Sequence, residues 1–270
     1  VPFEVPRADA FDARLSSVLE VICLVFNEGY SATAGEHWMR PALCDEALRL
    51  GRILAGLVPK EPEVYGLVAL MEIQSSRAWA RIGPAGEIIP LFEQDRALGS
   101  SPHPPRPRGA QARRGARGAL GPYALQAAIA ACHAWVRTPE ETEWVRIVAL
   151  YDALAQLAPS PVVELNRAVA VGMAFGPAAG LELVDALTAE PALRTYHLLT
   201  SVRGDLLRRL GRSHEARAEF ERAASLTRNA RERELLLRRA AACVPGSPVP
   251  VRRPSNVSFL PPCDGRRPEE

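Results

Sequence analysis

Apolar positions recur at helical spacing along almost the whole chain. From Phe11 to Phe26 they fall at Leu15, Val18, Leu19, Ile22, Val25 and Phe26. This predicts a helix that stops at Asn27-Glu28-Gly29-Tyr30, with Gly29 as the stop. Glu36 to Leu57 reads as a second helix, carrying Trp38, Leu43, Ala47, Leu50, Leu54 and Leu57 and closed by Pro59. A third follows Pro62, with Val64, Leu67, Val68, Met71, Ile73 and Trp79. Short apolar segments flank Gly83-Pro84-Ala85-Gly86 and predict one short β-hairpin near 80–92, which Pro90 keeps small. Helices resume at Gly121-Pro122 with "YALQAAIAACHAWV". Thr138-Pro139-Glu140-Glu141 reads as the cap and acidic first turn of "TEWVRIVALYDALAQLA". Pro159-Ser160-Pro161 and Gly176-Pro177 then bracket "VVELNRAVAVGMAF" and open "AAGLELVDALTA". Three more helices are expected around 192–210, 213–227 and 229–243. The fold class is all-α, built of stacked helical hairpins.

Short helices separated by single Gly or Pro breaks call for a repeat search. In "TSVRGDLLRRLGRSHEARAEFERAASLTRN", residues 200–229, Gly204, Leu207, Gly211, Ala216, Phe220 and Ala223 take the small and large positions of a tetratricopeptide-like hairpin. Small residues let two helices approach, and Leu and Phe fill the groove against the next repeat. "VVELNRAVAVGMAFGPAAGLELVDALTA" is a looser copy, with Gly176 standing 35 residues before Gly211.

One stretch breaks the pattern: "GSSPHPPRPRGAQARRGARG", residues 99–118, with five arginines, four prolines, four glycines and no acid. The whole chain is only +2, so the remainder is net negative and a polyanion partner would rest on this patch alone. It lacks the interleaved aromatics of a single-strand binder and reads as a disordered linker. Direct nucleic-acid binding is therefore not expected. The organisation expected is 1–98 helical, 99–118 disordered, 119–243 tetratricopeptide-like and 244–270 a disordered, proline-rich tail. Lys60 is the only lysine, and the Ala, Gly, Pro and Arg usage is that of a GC-rich genome.

Candidate chemistry is sparse. The histidines are His37, His103, His133, His197 and His214, none at a metal-ligand spacing. His37 and Cys44 would share one face of the second helix beside Asp45 and Glu46; a helix surface near the core is the better reading there than a metal site. Cys23, Cys44, Cys132, Cys243 and Cys263 form no C-x-x-C pair, so most read as small buried residues of a reducing cytoplasm. No nucleophile elbow, P-loop, dinucleotide fingerprint or H-E-x-x-H occurs, and Glu140/Glu141 fit a helix start. Trp38, Trp79, Trp135 and Trp144 are expected in the core. Asn166-Arg167 inside an apolar helix reads as a buried polar contact that fixes helix packing, with a peptide pocket as the minority view. No catalytic, cofactor-binding, metal or DNA-binding residue is singled out. There is no membrane span or signal pattern, and the location expected is the cytoplasm.

Several segments together carry a family resemblance: "VLEVICLVFNEGYSAT", "LCDEALRLGRILAGLVPKEPEVYGLVALMEIQSSRAWAR", "EQDRA", "GPYALQAAIAACHA", "ALYDALAQLAPSPVVELNRAVAVGMAFGPAAGLELVDAL" and "YHLLTSVRGDLLRRLGRSHEARAEFERA". Over roughly 3–98 and 119–243 they resemble, in order, the C-terminal extension of extracytoplasmic-function RNA polymerase sigma factors of the tetratricopeptide-tailed group. The resemblance implies a non-enzymatic regulatory or protein-contact role in transcription initiation. Its implied partners are RNA polymerase, the sigma core regions or another regulatory protein, and no cofactor is implied. No promoter-binding segment precedes Val1, so no DNA-contacting residue is carried over. A freestanding tetratricopeptide scaffold and a helical enzyme with a cleft site are the alternatives.

Members of this group continue after "EQDRA" with a tryptophan-containing amphipathic helix. Codons for Leu98 to Arg117 can be chosen so that the frame starting at the second base of Leu98 reads W-D-R-H-L-I-R-R-G-L-A-A-L-R-R-A-V-A, a helical string. A pair of compensating frameshifts spanning about 98–118 accounts for the anomaly. The DNA of the locus tests it.

Overall fold

The computed structural model describes residues 8–84, 86–89, 94, 120–136 and 141–243. The Arg/Pro/Gly-rich stretch 99–118 and the tail 244–270 lie outside the described residues, as does His103. The first helix, α1 (Ala8–Tyr30), is followed by a two-residue strand, β1 (Ala34–Gly35), then α2 (Pro41–Leu57) and α3 (Pro62–Ser76). After a 3-10 turn at Ala78–Arg81 come α4 (Pro122–Ala134), α5 (Trp144–Leu157), α6 (Pro161–Ala174) and α7 (Pro177–Leu187). A 3-10 turn at Pro191–Leu193 leads to α8 (His197–Arg209), α9 (Ser213–Leu226), β2 (Arg228–Asn229) and α10 (Ala230–Ala241). The fold is all-α with one short parallel strand pair.

Proline sets half of the described α-helix starts: α2, α3, α4, α6 and α7 each have Pro in the first turn, where its missing N–H costs nothing. Only some caps are side chains. Ser160 accepts from the Val162 amide, and Asn229 accepts from Arg231 and Glu232.

Several boundaries differ from the expectation. The first helix runs through Gly29 to Tyr30. A Cβ at Gly29 would lie 2.7 Å from the Cys44 backbone nitrogen and 2.9 Å from Leu43 Cβ, so this glycine permits helix contact rather than ending a helix. The second helix starts at Pro41, not Glu36, because 31–40 form the loop that carries β1. The fifth starts at Trp144, with Glu143 at the cap position; the expected cap Thr138-Pro139-Glu140 lies outside the described residues. The hairpin near 80–92 reduces, among the described residues, to one antiparallel bridge, Ile82 with Ile88, closed by Gly83 N–H to Glu87 carbonyl at 2.9 Å.

The repeat geometry holds at its predicted positions. Leu207, Ala216, Phe220 and Ala223 are fully buried, and a Cβ at Gly204 would meet the Phe220 ring at 2.9 Å. Gly176 and Gly211 both have positive φ, 104° and 76°, a conformation that favours glycine at each inter-helix turn. In the looser copy, α6 and α7 cross where Gly180 would place a Cβ 2.8 Å from Gly172 Cα.

Successive helices pack pairwise along the stack, with one exception to the hairpin order. Helices α3 and α4 lie side by side and run parallel: Glu63 at the start of α3 accepts from the Tyr123 and Ala124 amides at the start of α4 (2.8 and 3.2 Å). Further along, Leu70 packs on Ala127 and Ala130. The last helix then meets the first ones, since Leu235 of α10 joins Leu19, Ile22, Phe26 and Trp38 in one apolar cluster.

Candidate functional site

A cluster of buried polar groups lies where residues 30–40 meet residues 227–232. Strands β1 and β2 pair in parallel there, Ala34 with Arg228 and Gly35 with Asn229. Asn229 is completely buried. Its Nδ2 donates to the carbonyls of Ala32 (3.1 Å) and His37 (3.0 Å). Its Oδ1 accepts from the amides of Arg231 (3.0 Å) and Glu232 (3.3 Å), capping α10. One side chain thus clasps residues 32–37 to the start of the last helix.

Arg81 lies behind this clasp. Its guanidinium stacks 3.5 Å from the Tyr30 ring centroid and 4.1 Å from that of Trp38, and Nη1 donates to the Tyr30 carbonyl at 2.8 Å. Burial lowers its pKa to about 10, which leaves it a cation at neutral pH. Glu232 stands on the other side, with an oxygen 3.1 Å from His197 Nε2 and accepting from Thr227 Oγ1 at 2.8 Å. Burial would raise the Glu232 carboxyl pKa, but the hydrogen bonds from His197 and Thr227 outweigh it and the net shift is downward.

A second buried ion pair ties α8 to α10. Arg239 Nη2 reaches both carboxylate oxygens of Asp205, at 2.7 and 2.8 Å, and its guanidinium lies 4.9 Å from the Phe220 ring. Burial raises the Asp205 pKa, opposed by Arg239 and Arg208. These clusters hold fixed charges between helices. Neither places a nucleophile beside a base.

The residues noted in the sequence separate rather than converge. His37 is exposed and precedes α2, so it does not share a helix face with Cys44, and it enters the clasp only through its backbone carbonyl. Cys44 is buried, its Sγ 3.7 Å from the Phe26 carbonyl, and burial pushes its thiol up to about 11. Among the described residues no three His, Cys, Asp or Glu side chains group as a metal site. Cys44, Cys132 and Cys243 are free, two of them buried. Trp38 is in the core and Trp144 is half-buried, edge-on to His133. Trp135 is not core: it ends α4 and is 65% exposed. The Trp79 side chain lies outside the described residues. Arg167 makes the interhelical contact, 2.6 Å to Asp152 of α5, whereas Asn166 is buried with no hydrogen-bond partner for Nδ2 among the described residues.

Arg81, Asp205, Asn229 and Glu232 escaped the sequence reading. Asp205 had a visible signal, an acid within the apolar run "HLLTSVRGDLL". Asn229 had one as a cap residue before "ARERELLL".

This geometry defines a protein of stacked helical hairpins whose ends are locked together. Residues 14–103 match a family of unknown function (DUF6596). The chain is also similar to an uncharacterised protein of Rhizobium meliloti (strain 1021), 47% identical over 232 residues. That match covers 86% of this chain and 54% of the relative, so the chain spans about half the length of the curated relative it matches. No solved structure matches it. No helix among the described residues is long and apolar enough to cross a membrane.

Proposed function

We propose that this chain is the regulatory, protein-interaction portion of an extracytoplasmic-function RNA polymerase sigma factor, acting in bacterial transcription initiation in the cytoplasm. The observation that carries the reading is the order of the resembling segments. "VLEVICLVFNEGYSAT" through "YHLLTSVRGDLLRRLGRSHEARAEFERA" follow the extension of that family from α1 to α9. The Rhizobium relative, about twice as long as the matched part, has length for promoter-binding regions besides. The function is contact rather than chemistry: a rigid stack of hairpins presents helix faces to the sigma core, the polymerase or a separate protein.

The test uses the Rhizobium relative whole and with its matched part removed. The whole protein is expected to co-purify with RNA polymerase and direct promoter-dependent transcription in vitro, and removal of the matched part is expected to change that output. No association with polymerase by either form overturns the reading. A freestanding hairpin scaffold is the second reading, favoured by the Gly204–Phe220 interlock, which serves any tetratricopeptide-like stack. A reading frame upstream of this chain's gene that encodes promoter-binding regions argues against it.

A further inference from the structure

A stack of helical hairpins needs polar outer faces on its terminal helices, because an apolar one has no next repeat to bury it. The last helix, α10, whose Leu235 packs with the α1–α2 cluster, turns Arg231, Glu234 and Arg238 outward around an exposed Leu237, with Arg231 and Glu234 paired at 3.4 Å. The first helix, α1, buries Leu19, Ile22, Cys23, Phe26 and Tyr30 on one side. Its opposite side, at i, i+3 and i+6, carries Val18, Val21 and Leu24, exposed by 45, 59 and 47%. A surface helix puts charge there; a helix apolar on both sides is a buried one. On α2, which packs against α1, Ile53 and Leu57 are likewise 47 and 73% exposed.

We propose that the outer face of α1, centred on Val21, is the docking face for an amphipathic helix from the half of such a longer protein that lies outside the matched part. The proposal rests on the reading of this chain as one portion of such a protein. The length argument is direct: 46% of the Rhizobium relative lies outside the match, following from the 54% covered, which is ample for a helical module. The flanks fit an amphipathic partner, since Arg14, Ser17, Glu20 and Glu28 border the apolar ridge. The docked helix extends the stack by one layer and buries the ridge as a next repeat would.

The test places this chain in a chimera, in place of the matched part of the Rhizobium protein and in its natural order. Val21→Cys is labelled with a thiol reagent and followed by peptide mass spectrometry, with Val145→Cys on α5 as the distant control. Labelling at position 21 is expected to be at least ~10-fold slower in the chimera than in the chain alone, as for a position buried in a protein interface. Position 145 is expected to be unchanged, and Leu24→Glu to restore the fast rate at 21. Equal rates at position 21 overturn the proposal. So does slowing in the chain alone that grows with its concentration, which would make a second copy the occupant. Polymerase association is a separate readout: if it fails while position 21 is protected, the sigma-factor reading falls and the docking face stands.

Discussion

Replacing Asn229 with Ala separates the two ends of the molecule at their most buried polar contact. Two losses follow from the geometry. The carbonyls of Ala32 and His37 each lose the Nδ2 donor, and an unpaired buried acceptor costs about 1–3 kcal/mol. The Arg231 and Glu232 amides lose their cap, worth about 0.5–2 kcal/mol. Because these groups share one side chain and the loop can relax, the expected total is ~3–5 kcal/mol, near the lower part of the summed range. For a chain of this size that corresponds to a fall in Tm of roughly 10 °C. Urea denaturation followed by tryptophan fluorescence measures it, with Trp38 reporting from the cluster beside the clasp. Asn229→Ser divides the total, since a serine hydroxyl caps α10 but cannot span to both carbonyls. It should recover about 1 kcal/mol and no more. Hydrogen exchange should quicken together in 31–40 and 228–241, which are far apart in sequence and meet at this clasp. A loss below about 1 kcal/mol for Asn229→Ala, or exchange that quickens in α10 alone, would refute the clasp.

Three further outcomes follow from the packing and the charges. Gly66→Ala directs a Cβ to 2.7 Å from the Ala124 backbone nitrogen, where neither helix can yield, and should cost about 1–3 kcal/mol. Gly56→Ala, with nothing within 4 Å, should stabilise by up to ~1 kcal/mol, both read by thermal denaturation. Asp205→Ala removes the carboxylate that both short Arg239 bonds reach and should cost about 3–5 kcal/mol in urea, while Asp205→Leu with Arg239→Met should recover a large part of it. The Glu232 carboxyl is held below its ordinary value in the folded chain, so its ionised form stabilises the fold above the usual carboxylate range, and that share fades as pH falls through the lowered value. Glu232→Gln should therefore flatten the acid limb of a Tm-against-pH curve; an unchanged limb would count against the Glu232–His197–Thr227 arrangement.

Composition and the family resemblance read the segment 98–118 differently. Its arginines invite a nucleic-acid reading, yet its neighbours α3 and α4 are parallel and in direct contact, an arrangement that a hairpin stack reaches through an intervening antiparallel helix. The frame that reads W-D-R-H-L-I-R-R-G-L-A-A-L-R-R-A-V-A would encode such a helix, and the locus DNA decides it.

Periodicity by itself determined the helices, their approximate order and the small-residue contacts of α8 and α9, because amphipathic spacing and glycine breaks are local properties of the chain. Leu207, Phe220 and Ala223 could be placed in the core from their spacing alone. Only the tertiary structure decided that Gly29 admits α2 rather than ending α1, that Trp135 is exposed, and that α10 returns to α1 and α2. Those outcomes depend on which faces meet across the chain, from the fifteen residues between Gly29 and Cys44 to the nearly two hundred between Ala32 and Asn229. Arg81 and Asn229 illustrate the limit. Arg81 is held between the Tyr30 and Trp38 rings, and Asn229 where two carbonyls and two amides converge on it. No spacing along the sequence encodes such convergence.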